Sequence, residues 1–465
     1  MPQHFLCFSD CCHQAAGEGD SKGCSLLQIS CSLETDLDEV LMPVSVISTG
    51  HLTRPEVRIG HVTISRNSSW IHLDNCLRGL VKTYLACLDP EHSLELSSQS
   101  MVCYQCGNIR RVFKGPEPER RPTLLPDTTI WISFRGGTDR GSLEDLCFTS
   151  LLPRSSLKQY VSAISKFQRA VIVGPPKAGK TLLASSLAEY LVLASGQELT
   201  PHSVSLFLTN KATAESEQWS ELLTRARPPP TVIILDNIQD SGACIIQMLA
   251  KLGPALEETP FIICTSSPSQ HVQHLTEKFN FSEVTVGNDV DILQGLLGRF
   301  LRRKMLNLEV TTRLANLDMP EAIQWLLRIY CNLYIFVKTT SQTKSFLSPS
   351  IFMSCPVEST QQLKTWFIEH LWNSSLVTKL RQVVAESDQM SVDFEDPVKF
   401  VIRTWPWRSE VESLPQVLEA VSLTETQQNV SEDPLVRPAS CETLVRNRVV
   451  LEVLAKLINI DFFMV

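Results

Sequence analysis

The sequence predicts an α/β fold: a parallel sheet with helices on both faces, preceded by a small α+β unit and followed by an all-helical lid. Three observations predict it. Between about residues 154 and 286, short apolar runs alternate with helical periods, the order that gives parallel strands joined by crossover helices. Within that stretch, Gly174-Pro175-Pro176-Lys177-Ala178-Gly179-Lys180-Thr181 fits G-x-x-x-x-G-K-[ST] in full, with an apolar run before it and a helical pattern after it. From about residue 290 the strand signals stop and only helical periods remain.

Residues 1–45 hold no period of 2 or 3.6 and read as an irregular tail, with Cys7, Cys11, Cys12, Cys24 and Cys31 scattered among Gly, Ser and acids. Residues 46–150 read as a small α+β domain of the ubiquitin-like grasp. An alternating strand lies in 56–66, and a helix carries Trp70, Leu73, Leu77, Leu80, Val81, Tyr84 and Leu85 on one face. Asp89-Pro90 stops that helix, and strands at 101–112 and 128–134 flank a Pro-rich loop at 116–126. Residues 151–289 form the sheet domain. A leading helix at 154–167 is followed by strands at 170–173, 204–208, 231–235, 261–264 and 282–286, with helices at 180–193, 212–225, 240–252 and 271–279 between them. Residues 290–407 form the lid, with helices at 291–307, 319–337, 358–385 and 396–404; residues 408–465 read as an acidic linker and a last amphipathic helix at 441–460.

Composition narrows the function classes. The 465 residues carry 42 Lys+Arg against 50 Asp+Glu, a net charge of −8, which argues against a nucleic-acid binder. No apolar run approaches the roughly 18 residues of a membrane span, and the start has no basic, apolar signal pattern. The 15 cysteines fall at no regular spacing, so the chain reads as cytoplasmic with reduced thiols.

The phosphate loop carries the chemistry. Gly174 and Gly179 let the backbone turn its N–H groups toward phosphate oxygens, and the helix opening at Lys180 adds its positive end. Lys180 is placed to reach the β- and γ-phosphates, and the Thr181 hydroxyl to ligate Mg²⁺. Downstream, Thr231-Val-Ile-Ile-Leu235-Asp236 is an apolar strand ending in an acid, the form that holds the Mg²⁺ of ATP through its shell. The next residue is Asn237, where hydrolysing enzymes of the AAA kind carry Glu; an amide can orient water but cannot take its proton. Phe261-Ile-Ile-Cys264-Thr265-Ser266-Ser267 is a further strand with a polar end. In a AAA-type order that end senses the γ-phosphate, with Thr265 and Ser267 as candidates, and a capped strand-to-helix turn is the competing reading. Residues 268–283, where a neighbour-completing arginine would lie in a ring, contain no Arg.

Three weaker signals remain. Arg299, Arg302 and Arg303 share one helix face, read as a solvated face or as a charge for phosphates or an acidic partner. Cys103-x-x-Cys106 is half a zinc ribbon without its second half, so free thiols in a strand are the better reading. Trp405-Pro-Trp407 reads as lid packing rather than a partner anchor.

From about Val57 to Trp407 the chain resembles the C-terminal half of the neuron navigator and cortactin-binding protein 2 family. The resemblance rests on Gly174–Leu191, on Val232-Ile-Ile-Leu-Asp-Asn237 and on Gly295-Leu-Leu-Gly-Arg-Phe-Leu-Arg-Arg-Lys304. It rests also on Phe352-Met-Ser-Cys-Pro356, Trp366–Trp372 and Glu395–Trp407. It implies a AAA-type nucleotide-binding module with a dedicated lid, preceded by a ubiquitin-like unit. It also implies that the Asp236-Asn237 pair is the family's own pattern. The loop interior Pro-Pro-Lys-Ala departs from relatives, which look more like Pro-Ser-Gly-Thr or Pro-Pro-Gly-Thr, and Ser267 stands where relatives similar to the navigators place Asn. Similar proteins act at the actin and microtubule cytoskeleton, largely in neurons, so the implied partners are cytoskeletal or cell-cortex proteins, and self-assembly into a homo-oligomer stays open. The expected function is an ATP-binding scaffold or regulator of the cytoskeleton with weak or absent hydrolysis. The alternative is an active AAA-type ATPase remodelling a cytoskeletal or trafficking partner; a small-molecule kinase fits least.

Overall fold

The structure, a computed structural model, describes residues 27–30, 39–48, 56–65, 68–119, 122, 128–137, 139, 141–208, 231–240, 245–246, 260–341, 346–386, 396–407, 411, 414–419 and 421. The expected helix at 212–225, nearly all of that at 240–252, the C-terminal helix and most of the 1–45 tail lie outside these residues.

The first unit is a six-stranded sheet covered by one long helix. Its elements are β1 (Gln28–Ser30), β2 (Glu39–Val46), β3 (Val57–Ser65), α1 (Trp70–Leu88), β4 (Met101–Cys106), β5 (Ile109–Val112) and β6 (Ile130–Phe134). The strand order is β1-β3-β2-β6-β4-β5. β2 and β3 run antiparallel, and β2 and β6 run parallel. The helix forms as its spacing dictates: Trp70, Leu73, Leu77, Leu80, Val81, Tyr84 and Leu85 all turn into the core. Ser69 caps its start by accepting from the His72 N–H. One expectation is corrected here. β1 and β2 fall inside the segment read as an irregular tail, because Val40, Met42, Val44 and Val46 alternate into the core while Pro43 and the Gly/Ser-rich surroundings mask the period. Cys103 and Cys106 are buried free thiols in β4, and the Arg110 guanidinium lies 3.4 Å from the Cys103 sulfur.

A short helix, α2 (Glu144–Ser150), not foreseen from the sequence, joins the units. The second unit comprises α3 (Arg154–Phe167), β7 (Arg169–Val173), α4 (Lys180–Ala194), β8 (Val204–Leu208), β9 (Val232–Asp236), β10 (Phe261–Ser266), α5 (Gln270–Phe279) and β11 (Ser282–Thr285). Its five strands are all parallel in the order β11-β7-β10-β9-β8. β9 is buried along its whole length, as a central strand covered on both faces must be.

The lid follows as α6 (Val290–Thr312), α7 (Met319–Thr340), α8 (Ser350–Met353), α9 (Thr360–Thr365), a π-helical stretch (Trp366–Leu376), α10 (Val377–Ala385), α11 (Pro397–Thr404) and α12 (Leu414–Val417). Trp325 anchors an aromatic cluster, meeting Trp405 and Trp407 edge-on at 5.1 and 5.8 Å, so the Trp-Pro-Trp pair is lid packing. Part of the expected linker at 408–440 packs against the lid. Leu414, Leu418 and Val421 are buried, and Trp372 and Asn373 donate to the Glu419 and Val417 carbonyls.

Both readings of the basic face on α6 fail at Arg299, and Arg303 also turns to internal partners. Arg299 is 2% exposed and points into the junction between the units. Its Nε donates to the Leu151 carbonyl at 2.8 Å, and its Nη1 to Ser93 Oγ at 2.6 Å and Asp89 Oδ1 at 3.3 Å. Asp89 in turn accepts from the Leu94 N–H and Ser93 Oγ, so the carboxylate that ends α1 also organises the loop behind it. Arg303 donates to the Phe148 carbonyl of α2 and lies over the Phe148 ring. The basic face is a clamp between lid, sheet domain and ubiquitin-like unit.

Arg299→Ala is therefore expected to leave Asp89 buried without its charge partner and to cost about 3–5 kcal/mol. Arg299→Lys should restore only a fraction, because an ammonium lacks the fork that spans two acceptor directions. Urea unfolding followed by tryptophan fluorescence measures both; a wild-type midpoint in Arg299→Ala would refute the clamp.

Candidate functional site

The phosphate loop leaves the buried strand β7, which pairs in parallel with β10 on one side and β11 on the other, and enters α4. Its two glycines serve different needs. A Cβ on Gly174 would sit 2.6 Å from the Val286 carbonyl oxygen, so Gly174 is required for close approach of two backbones; its own N–H donates to the Ser266 carbonyl at 3.1 Å. Gly179 is the residue that needs conformational freedom, at φ +81°. Lys177 also sits in the left-handed region, at φ +63°. Pro175, Pro176 and Ala178 complete the loop, and α4 presents its positive end where the loop closes. Lys180 Nζ folds over the loop and donates to the Gly174 and Pro175 carbonyls, each at 2.8 Å. Burial lowers its pKa, and the Asp236 carboxylate partly opposes that shift.

Asp236, at the end of β9, is the point where three elements meet. Its Oδ1 accepts from Thr181 Oγ1 of α4 at 2.8 Å and from Thr265 Oγ1 of β10 at 2.5 Å. Thr265 is 1% exposed, gives its one hydroxyl proton to Asp236 and accepts the Asn237 N–H at 2.9 Å. Asn237 follows at φ +63°, in the left-handed conformation that Asn tolerates better than most residues, with an exposed side chain. Of the two open candidates on β10, Thr265 is the one that reaches Asp236. Ser267 meets the loop after β9 instead, through its N–H and Gln239 Oε1 at 3.2 Å. Hydroxyl and carboxylate oxygens make a hard donor set, and Thr181 and Asp236 fit Mg²⁺ on that ground.

The lid touches the loop directly, which sequence reasoning missed. Ser348 Oγ, before α8, donates to the Lys177 carbonyl at 2.8 Å. Tyr334 of α7 donates to the Gly287 carbonyl at 2.8 Å, and Gly287 packs against Pro175 and Ala178. No local pattern marks Ser348 or Tyr334, since each acts on residues far along the chain.

Thr265→Val keeps the side-chain shape but removes the proton Asp236 takes and the acceptor the Asn237 N–H uses. The expected cost is about 1–3 kcal/mol, read as a lowered thermal unfolding midpoint in nucleotide-free protein; an unchanged midpoint would remove Thr265 from the hub.

Three family models match in succession. "Neuron navigator 1-like, ubiquitin-like domain" covers residues 39–135, "ATPase family associated with various cellular activities (AAA)" residues 170–284, and "NAV1-like, AAA+ ATPase lid domain" residues 307–419. Neuron navigator 2 of Homo sapiens is 32% identical over 75% of this chain and 14% of its own length. Neuron navigator 3 of Mus musculus is 32% identical over 77% and 16%, and the Caenorhabditis elegans adapter protein unc-53 is 26% identical over 83% and 23%. The chain thus spans about a seventh to a quarter of the length of these relatives. Among solved structures, Thermotoga maritima RuvB aligns over 53% of this chain and 78% of its own at 12% identity and a TM-score of 0.28, too distant to bear on the site. No helix among the described residues is long and apolar enough to cross a membrane.

Proposed function

The chain belongs to the neuron navigator family, and on that premise we propose that it binds ATP·Mg²⁺ at Gly174–Thr181 with Asp236 and works as a nucleotide-held scaffold with weak or absent hydrolysis. The observation that carries the binding half is the hub at Asp236: Thr181 from the helix after the loop and Thr265 from the neighbouring strand share one carboxylate oxygen. Held by Thr181 and Asp236, Mg²⁺ would supply positive charge to the phosphates. The chain's own part is to present Thr181 and Asp236 as oxygen donors, Lys180 as a mobile cation and the amides of the loop and α4 as fixed partial charges.

The observation that carries the slow half is Asn237. It takes the exposed position after the acid, and an amide accepts no proton. A general base contributes about 10²- to 10⁴-fold to such a step. Its loss leaves positioning and electrostatics. Ser267 and Thr265 remain the residues proposed to register the γ-phosphate, Thr265 through Asp236 and Ser267 from the outer end of β10. The partners that fit this reading are cytoskeletal or cell-cortex proteins in the cytoplasm, carried over from the family, with assembly of several copies as a further property to measure.

Lys180→Ala is expected to abolish ATP binding in a fluorescent-nucleotide titration; unchanged affinity would sink the site. In single turnover with labelled ATP the wild type should fall well below about 1 per second, and Asn237→Glu should raise the rate by one order of magnitude or more. A wild type that already turns over at about 1 per second or faster would instead establish the active remodelling ATPase.

A further inference from the structure

The structure assigns a second task to the lid: we propose that Ser348 is a positioning residue that holds the phosphate loop in its polyphosphate-accepting shape through the Lys177 carbonyl. The proposal rests on reading that loop as the nucleotide site.

Proton accounting fixes the direction of the contact. A serine hydroxyl has one proton and two lone pairs. Ser348 Oγ accepts the Ser350 N–H at 3.2 Å and lies 2.7 Å from Ser350 Oγ. With Ser350 donating across that pair, both lone pairs are engaged, and the proton of Ser348 points to the Lys177 carbonyl 2.8 Å away. The hydroxyl is pre-aimed. Ser348 is 6% exposed, so water does not compete freely for the same carbonyl.

The recipient needs holding. Lys177 stands in the left-handed region at φ +63°, which costs a residue with a Cβ about 1–2 kcal/mol. Its carbonyl orientation sets the peptide plane that leads to Ala178 and Gly179, the part of the loop from which N–H groups must face an anion. The donor is itself anchored. Tyr330 donates to the Leu347 carbonyl at 3.3 Å, Lys379 of α10 donates to the Phe346 carbonyl, and Pro349 stiffens the next position. Burial lowers the pKa of Lys379, and the charge of Lys177 lowers it further.

The test uses the full chain with Ser348→Ala, Ser348→Thr and Ser348→Cys. Two readouts are taken: hydrogen exchange of amides in the loop without nucleotide, and ATP and ADP affinity by titration. Losing one hydrogen bond corresponds to roughly a 3- to 10-fold change. Ser348→Ala should speed loop exchange and weaken ATP by that factor, Ser348→Thr should restore both, and Ser348→Cys, a weaker donor of similar size, should fall between. A purely structural role would instead lower the thermal midpoint and leave affinity below that temperature unchanged. Wild-type loop exchange in both Ser348→Ala and Ser348→Cys overturns the proposal. If the wild-type chain binds no ATP, the nucleotide reading fails on its own, while the exchange data still decide whether Ser348 holds the loop.

Discussion

A guanidinium cannot be buried cheaply, and the arrangement of the whole molecule follows from burying that of Arg299. Desolvation pulls its pKa down, and the Asp89 carboxylate at 3.3 Å opposes that pull. One acceptor would not suffice for so many donors, so Leu151 and Ser93 are drawn in as well. Each comes from a different part of the chain: Asp89 and Ser93 from the loop after α1, Leu151 from the turn before α3, and Arg299 from the first lid helix. The lid helix can therefore not swing freely against the ubiquitin-like unit without exposing or orphaning a charge. The room for this arrangement comes from glycines in α6. A Cβ on Gly295 would lie 3.0 Å from Arg299 Nη2, and one on Gly298 would lie 2.9 Å from Leu327 of α7.

Much of this was legible in the sequence, and the failures have common physical causes. The fold class, the lid helices and the loop were readable because they rest on period and on a motif whose residue types are dictated by local geometry. Asp236 was readable as the end of an apolar strand. What was not readable depended on distant partners. Arg299, Arg302 and Arg303 have the spacing of a solvated face, and nothing local tells that Asp89, 210 positions earlier, waits for one of them. One local signal does exist: Gly295 and Gly298 inside a helical period are costly unless something approaches closely. β2 was hidden by Pro43, although Val40, Met42, Val44 and Val46 alternate on either side of it. Ser267 is the residue the sequence sets in the site beside Asn237, with Thr265 as the other candidate, and the register of β10 against β9 brings Thr265 to Asp236.

The loop is held at three places by three different kinds of constraint. Gly174 is wedged under Val286, Lys180 ties the Gly174 and Pro175 carbonyls together, and Ser348 takes the Lys177 carbonyl from the lid. Only the last of these comes from an element outside the sheet domain. A train of contacts is not by itself coupling, because coupling needs an element with two arrangements whose balance both ends bias. The lid meets its neighbours through two grips that differ in kind. On the ubiquitin-like side it is fixed by a buried charge, which is costly to break. On the loop side it is fixed by neutral hydrogen bonds from Ser348 and Tyr334, each worth about 0.5–1.5 kcal/mol. The grip at the loop is thus the weaker of the two, since a neutral hydrogen bond costs less to break than a buried charge pair.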